Sequence, residues 1–316
     1  MRRYNTIFLL LLLTTFSHLS AFDTHFYLSA DLLYMQHSID QPEFVIDSTS
    51  TALPDGERAH NAQGYHFGYR AEGGFRLCDS LTEVVVRWTY FPNFSENRKV
   101  TGAALFPTLN FPEPFLNDEN GTASISNRFS VRFIDGFLRQ KIVDSRCYSL
   151  SLLGGVQYGY LKLREKVEYP DNDNSTVRNI DSTSRTQGLG PAIGVESHYR
   201  FLGCLQFISD LTSGWLIADI DKNYRETRAS TSATLVNVTD DKYWRLIPTI
   251  DLRLGLNYVR SLFCLQLNLG VGYEAIVAWK AIENVYFVDS NNLGSSFNKE
   301  RTLTMQGPYA HLGISF

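Results

Sequence analysis

The chain lacks the features that usually mark a metalloenzyme or a nucleic-acid-binding protein. It has only four cysteines and seven histidines in 316 residues, and neither Cys-x-x-Cys nor His-x-x-x-His spacing occurs. The sequence therefore predicts no bound metal and no cofactor. The formal net charge is only −4 and no basic cluster is present, which argues against a nucleic-acid partner. After residue 21 no apolar run approaches the roughly 20 residues that a membrane-spanning helix needs.

The first 21 residues have the organisation of a secretory signal peptide. Arg2 and Arg3 give a positive start, Leu9–Leu13 form a short apolar run, and Ala21 is a small residue before Phe22. The apolar run is too short to cross a bilayer as a helix. We expect residues 1–21 to be removed on export. Residues 22–316 are expected to form one barrel domain, because no linker or shift in composition divides them.

What the rest of the chain has in abundance is alternation of apolar and polar residues. In residues 263–279 every odd-numbered position is apolar, whereas Gln266, Asn268 and Glu274 lie on the other face. Period two predicts β-strands, and segments of this length exceed the usual strand of about 5–6 residues. Ten such segments are present: 24–39, 64–77, 81–94, 124–141, 148–164, 186–200, 204–220, 243–260, 263–279 and 302–316.

The connections between these segments alternate between short and long. The short ones are 78–80, 142–147, 201–203 and 261–262, and the long polar ones are 40–63, 95–123, 165–185, 221–242 and 280–301. This alternation is typical of outer-membrane barrels, with short periplasmic turns and long extracellular loops. The predicted fold is therefore all-β, a closed antiparallel transmembrane up-and-down barrel of about ten strands. Twelve strands are possible if residues 98–111 also pair.

Aromatic residues support two membrane interfaces. With this topology Trp88, Trp215, Trp244 and Trp279 all lie at the outer ends of their strands, and Phe316 ends the last strand at the inner side. Aromatic girdles at both interfaces are typical of transmembrane barrels. We therefore expect a multi-pass protein of the bacterial outer membrane, in contact with outer-membrane lipid.

Charged residues on the predicted inner face indicate what the lumen contains. The candidate lumen-lining residues are Arg70, Glu72, Arg76, Glu83, Arg87, Arg132, Glu196, His198, Arg200, Arg245, Asp251, Arg253 and Glu274, with Arg128 as a further position. Arg or Lys facing lipid near the midplane would cost about 2–4 kcal/mol each. Ten strands give a backbone diameter near 20 Å, by rough estimate. Arginine-sized side chains fill much of that width, so both an open pore and a salt-bridged, closed lumen are consistent with the pattern.

Catalysis at the barrel rim is an alternative. Asp55, Glu57 and His60 share the first long connection, and some ten-stranded outer-membrane proteins are proteases of the omptin type. Nothing in the sequence orients a base or a nucleophile there. We therefore expect that the protein is not an enzyme.

The four cysteines all lie near predicted short turns. They are Cys78, Cys147, Cys204 and Cys264. Exposed thiols tend to form disulfides in the oxidising periplasm, but an internal bridge needs Cα atoms within about 7 Å. Two interpretations stay open: tolerated small residues, and disulfide links to other envelope proteins.

Several glycine-rich stretches resemble a known family. Residues 188–194, 252–258, 269–279 and 307–316 are similar to the Legionella-type major outer membrane protein family, which also occurs in chlamydia-like bacteria. The resemblance covers mainly the C-terminal half and implies a pore in the outer membrane. The resulting hypothesis is a small, weakly selective pore for small solutes or ions. The alternative is a structural or adhesive surface barrel with a closed lumen.

Overall fold

The computed structural model of the protein describes residues 26–39, 43–48, 55–60, 63–77, 81–109, 119–169, 178–228, 233–239, 242–262, 265–287 and 296–316. These residues form a single antiparallel sheet of thirteen strands. Among the described residues there is no helix long and apolar enough to cross a membrane.

Ten of the thirteen strands are long. Numbered in chain order, they are β1 (Phe26–Ile39), β4 (Tyr65–Arg76), β5 (Thr82–Pro107), β6 (Glu119–Asp144), β7 (Tyr148–Tyr169), β8 (Arg178–Leu202), β9 (Leu205–Arg228), β11 (Tyr243–Leu262), β12 (Leu265–Phe287) and β13 (Ser296–Ser315). The three short strands are β2 (Val45–Ser48), β3 (Gly56–Ala59) and β10 (Ala233–Thr239).

The ten long strands close into a ring. Each pairs with two neighbours, and the first strand pairs with the last from Tyr27↔Ser315 to Ile39↔Leu303. The order around the ring is β1-β4-β5-β6-β7-β8-β9-β11-β12-β13. Closure satisfies the backbone groups that an open sheet edge would expose. The all-β, antiparallel prediction is confirmed, and in the part of the chain that the structure describes ten long strands form the ring.

The long connections are shorter than the sequence predicted. β5 and β6 remain paired out to Ala104↔Glu119, and β7 and β8 out to Tyr169↔Arg178. In these distal parts the outward residues are Ser, Thr and charged residues, so apolar and polar residues no longer alternate. The backbone hydrogen bonds between the strands nevertheless continue. Residues 98–107 do pair, but as the end of β5 and not as additional strands of the ring. We call these distal strand parts, together with β2, β3 and β10, the outer extension; the end of the ring with the short connections is the inner end.

The outward face of the ring carries a band of exposed apolar side chains. Val86, Leu189, Ile217, Leu246 and Val271 are each more than half exposed, an arrangement that is unfavourable in water and favourable in lipid. All four tryptophans lie on this face, at positions that alternate with inward-facing residues. At the inner end Phe26 packs on Phe75 with ring centroids 5.9 Å apart. Both observations agree with the expected aromatic girdles.

The inward face is largely filled. One apolar cluster occupies the middle of the ring and includes Leu33, Phe91, Val131, Leu161, Leu216 and Ile247, each at most 1% exposed. We call this cluster the apolar plug. A second cluster, around Phe44, Ile125, Val167 and Ile180, forms the core of the outer extension.

Candidate functional site in the lumen

The lumen consists of successive levels that can be followed along one strand. From the inner end outward, β11 directs Asn257, Arg253, Asp251, Ile247 and Arg245 inward. Asn257 borders a cavity, Arg253 and Asp251 belong to buried ion pairs, and Ile247 belongs to the apolar plug. Arg245 forms ion pairs beyond the plug. Period-two geometry places all five on the same face of the strand.

A cavity of about 370 Å³ opens at the inner end. Its walls carry charges of both signs: Glu72, Glu83, Arg87, Arg139, Glu196, Arg200, Asp210 and Arg253. His198 also lines it, and the imidazole Nδ1 lies 2.6 Å from the amide nitrogen of Gln206. The cavity therefore offers a polar, water-accessible space that extends into the ring from one side.

Two arginines close the cavity on its outer side. Arg87 donates from Nε to Glu72 Oε2 at 2.7 Å and from Nη2 to Asp210 Oδ2 at 2.8 Å. Arg139 lies 3.0 Å from Glu72 and 2.6 Å from Glu196. The partners come from β4, β5, β6, β8 and β9, so these ion pairs connect strands on opposite sides of the ring. Charge-assisted bonds of this kind are short and strongly oriented.

A second buried group lies beside the first and further from the inner end. Arg70 donates to both oxygens of Glu274, at 2.6 and 2.8 Å, to Asp251 Oδ2 at 2.9 Å and to the Thr89 hydroxyl at 2.9 Å. Glu274 is fully buried. Four donor contacts from one guanidinium leave it little freedom to rotate, so this group occupies the centre of the lumen in a fixed position.

Asp31 forms a third buried group on the β1 side of the ring. Its carboxylate contacts Arg253 Nη1 at 3.0 Å and His311 Nδ1 at 2.6 Å. Tyr309 lies under the Arg253 guanidinium, with 4.0 Å between the guanidinium carbon and the ring centroid. The residues of β1, β11 and β13 are thereby tied together near the seam where the ring closes.

At the outer side of the plug, to which Ala278, Ala281 and Ile282 belong, β12 bends into the interior. The register with β13 shifts between Ala278 and Ile282, and Lys280 has a positive φ of 53°. As a result the Ala281 carbonyl accepts a hydrogen bond from the Thr186 hydroxyl on β8 at 2.6 Å. The Glu283 carboxylate then accepts a hydrogen bond from Lys222 at 3.1 Å. This bulge brings one wall against the opposite wall and narrows the outer half of the lumen.

Buried hydroxyls continue this packing in the outer extension. Tyr169 donates to the carbonyl of Phe44, and Tyr224 donates to the carbonyl of Leu109 at 3.0 Å. Burial raises the pKa of both hydroxyls well above its ordinary value, so both stay protonated donors at any physiological pH.

Most predicted lumen residues do face inward, but the prediction for Arg132 is wrong. Arg132 lies between the buried Val131 and Phe133 and points outward, where its guanidinium carbon is 5.3 Å from the centroid of Tyr90. Arg128 is exposed on the same face. The prediction assumed that charge marks the lumen side. Here the inward positions beside Arg132 are apolar because Val131 and Phe133 belong to the plug, so the assumption selected the wrong face of β6.

For the same reason the prediction overlooked Arg139, which lies inward on β6 and pairs with the carboxylates of Glu72, Glu83 and Glu196. Asp31, Asp210 and His311 were also missed, since a single charge per strand gives a weak signal. Of the predicted residues, Arg76 pairs with Glu83 at 2.9 Å near the inner end. Arg245 lies apart from the other predicted residues, paired with Glu283 and Glu300 beyond the plug.

The rim residues and cysteines stay open predictions. Asp55, Glu57 and His60 are exposed, and within the described residues no base is oriented toward a nucleophile there. Cys147 and Cys204 are exposed free thiols next to short connections, as expected. Cys78 and Cys264 lie outside the described residues.

The closed ring, the lipid-compatible outer face and the polar lumen define a β-barrel of the bacterial outer membrane. Residues 20–316 match the family described as the Legionella pneumophila major outer membrane protein precursor, and the chain belongs to this family. The resemblance expected from the glycine-rich stretches is confirmed. A search of curated proteins gave no significant match.

Three solved structures match most of this chain at low identity. The outer membrane protease OmpT from Escherichia coli is 9% identical, with 92% of this chain and 96% of that chain covered and a TM-score of 0.47. A major outer membrane protein from Thermus thermophilus is 12% identical, with 93% and 99% covered and a TM-score of 0.31. A Pseudomonas aeruginosa FadL homologue is 9% identical, with 93% and 90% covered and a TM-score of 0.29.

Proposed function

We propose that this protein is a surface barrel of the outer membrane whose lumen is closed by its own side chains. The outer extension, exposed beyond the lipid, is then the part through which the protein acts. The observation that carries the proposal is the filling of the lumen at two successive levels. Buried ion pairs around Arg87 and Arg70 come first, and the apolar plug follows.

The lumen stays closed because opening either level for a passing solute costs free energy. Truncating one partner of a buried ion pair typically costs about 3–5 kcal/mol, because the other charge is left uncompensated. The side chains of the plug are almost completely buried against one another, and apolar interiors of this kind leave few voids that hold water. An ion that entered the inner cavity would therefore meet a closed barrier at Arg70 and beyond it.

A small, weakly selective pore is the second candidate function. The cavity of about 370 Å³ at the inner end is lined by charges of both signs, which supports weak selectivity for small solutes if the barrier opens. Both functions share the same export route. We propose that residues 1–21 are removed on export. The short connections then lie in the periplasm, and the outer extension lies at the cell surface.

Ion conductance in planar lipid bilayers tests the proposal. We expect the wild-type protein to give no steady current steps. The double variant Leu216→Ala/Ile247→Ala, which removes two plug side chains, should allow intermittent steps. Arg132→Ala is the matched control, because it removes an arginine from the outward face, and it should behave like the wild type. Steady steps from the wild type that are unchanged in the plug variant would support the pore instead.

A further inference from the structure

A separate polar cluster lies inside the ring in its outer half, away from the ion pairs of the lumen. It consists of His37 on β1, His66 on β4 and Glu96 on β5, which are neighbouring strands. We propose that these three side chains bind a divalent transition metal of the class that Zn²⁺ represents. Two imidazoles and one carboxylate are a donor set that suits zinc and the later first-row metals.

Strand pairing explains how the three residues meet. Met35 pairs with His66, and His37 is the next residue on the same face of β1. The register of β5 against β6 shifts between Phe91 and Phe94. This bulge re-aims the following residues of β5, so that Glu96 turns inward beside the two imidazoles. Bulges frequently redirect side chains at functional sites.

The distances between donor atoms suit one shared ion. His66 Nε2 lies 2.9 Å from Glu96 Oε1, and His37 Nε2 lies 3.3 Å from Glu96 Oε2. One donor atom from each residue lies within 4.8 Å of the others. Metal–ligand bonds of about 2.0–2.2 Å place tetrahedral donors roughly 3.3–3.6 Å apart. A three-ligand site is therefore completed when the two imidazoles move toward each other and His66 Nε2 moves slightly away from Glu96 Oε1.

One oxygen of the Glu96 carboxylate is poorly satisfied within the cluster. The side chain of Glu96 is 6% exposed and that of His37 is 3% exposed. Glu96 Oε2 and His37 Nδ1 are buried and form no hydrogen bond of good geometry, and the contact that Glu96 Oε2 does make is the one with His37 Nε2 at 3.3 Å. A buried carboxylate oxygen with so weak a partner costs free energy that a bound cation would offset. The side chain of His66 is 21% exposed, which leaves a route for the ion from solvent.

The surroundings hold the donors in place and leave room next to them. Phe94 stacks on the His66 imidazole with ring centroids 3.9 Å apart, and Phe129 stacks on His37 at 5.6 Å. The amide of Gly64 donates to Glu96 Oε1. A Cβ at position 64 would lie 3.1 Å from that oxygen and 3.5 Å from His66 Nε2. Glycine there keeps open the space beside both donors, which a fourth ligand needs.

Titration of the detergent-folded full chain with Co²⁺ alone, followed by visible absorption, tests this site. Co²⁺ serves as the probe because it accepts the ligands of Zn²⁺ and gives an absorption band. We expect saturation at one equivalent, and at least tenfold weaker binding in both His66→Gln and Glu96→Gln. His60→Gln is the matched control, since His60 is exposed outside the cluster, and it should bind as the wild type does. Circular dichroism and trypsin resistance verify that each variant is folded.

A second measurement separates ligation from folding defects. Zn²⁺ added to the wild type should raise the urea midpoint of unfolding, because an ion that binds only the folded state stabilises it. The same addition should leave the midpoint of His66→Gln unchanged. Wild-type protein that binds Co²⁺ no more tightly than His66→Gln, or an equal loss of binding in His60→Gln, would overturn the proposal.

Discussion

Replacing Arg70 with alanine removes the guanidinium that pairs with two carboxylates at the centre of the lumen, the buried Glu274 and the partly exposed Asp251. Arg70 is 2% exposed, and its partner Glu274 is fully buried. Four contacts of 2.6–2.9 Å, to Glu274, Asp251 and Thr89, would be lost. The stability of the barrel therefore depends strongly on this one side chain.

The expected loss of stability in Arg70→Ala follows from the carboxylates that remain without a partner. Breaking a buried ion pair by removing one partner costs about 3–5 kcal/mol of unfolding free energy, because the other charge is left uncompensated. The cavity left by the side chain adds to this cost. Replacing both partners, as in Arg70→Met with Glu274→Gln, should recover part of the loss, since the Glu274 charge is then removed, whereas Asp251 still lacks its guanidinium partner.

Urea unfolding at equilibrium in lipid vesicles measures these differences, and Arg132→Ala is the matched control. Arg132 lies outward, over the ring of Tyr90 at 5.3 Å, so its removal should cost no more than about 1 kcal/mol. A loss under about 1 kcal/mol for Arg70→Ala would refute the reasoning. So would a double variant that is less stable than Arg70→Ala alone.

Three further predictions concern the topology of the barrel, its exposed cysteines and the removal of the signal peptide. Protease added to intact cells should cleave within residues 221–242 and leave 201–203 intact, because the long connections lie outside; the reverse would invert the topology. Non-reducing gels of envelopes should show high-mass species that Cys147→Ser and Cys204→Ser diminish, since both thiols are exposed and the periplasm is oxidising. A monomer band in both gels would contradict this. Sequencing of the mature N-terminus should begin at Phe22, and a retained Leu9–Leu13 run would exclude cleavage after Ala21.

The ring could be predicted because lipid imposes alternation on every strand. Outward residues such as Leu252, Leu254 and Leu256 must be apolar, whereas their inward neighbours are free to be polar. That contrast identifies the strands and their faces without any tertiary contact. The short connections could be located for the same reason, because alternation stops at them.

The contents of the lumen could be predicted only in part. Where the interior is polar, as at Arg70 and Arg253, the positions of charged residues predicted the inward face of the strand correctly. Where the interior is an apolar plug, as on β6, the same reasoning chose Arg132 and overlooked Arg139. The outer extension was not predicted because the outward residues of its strands are polar, so apolar and polar residues do not alternate there. The cluster of His37, His66 and Glu96 depends on strand register and on a bulge, which single-sequence patterns do not reveal.

The closed lumen is tested most directly by thiol accessibility at two depths of one strand. In a chain whose native cysteines are replaced by serine, Asn268→Cys lies in the inner cavity and Ala278→Cys in the apolar plug, both on β12. A small charged thiol reagent should modify the cysteine at position 268 rapidly. It should leave the cysteine at position 278 unmodified until the barrel is unfolded. Equally rapid modification at both positions in the folded barrel would mean that water fills the lumen throughout, and would contradict the closed barrel.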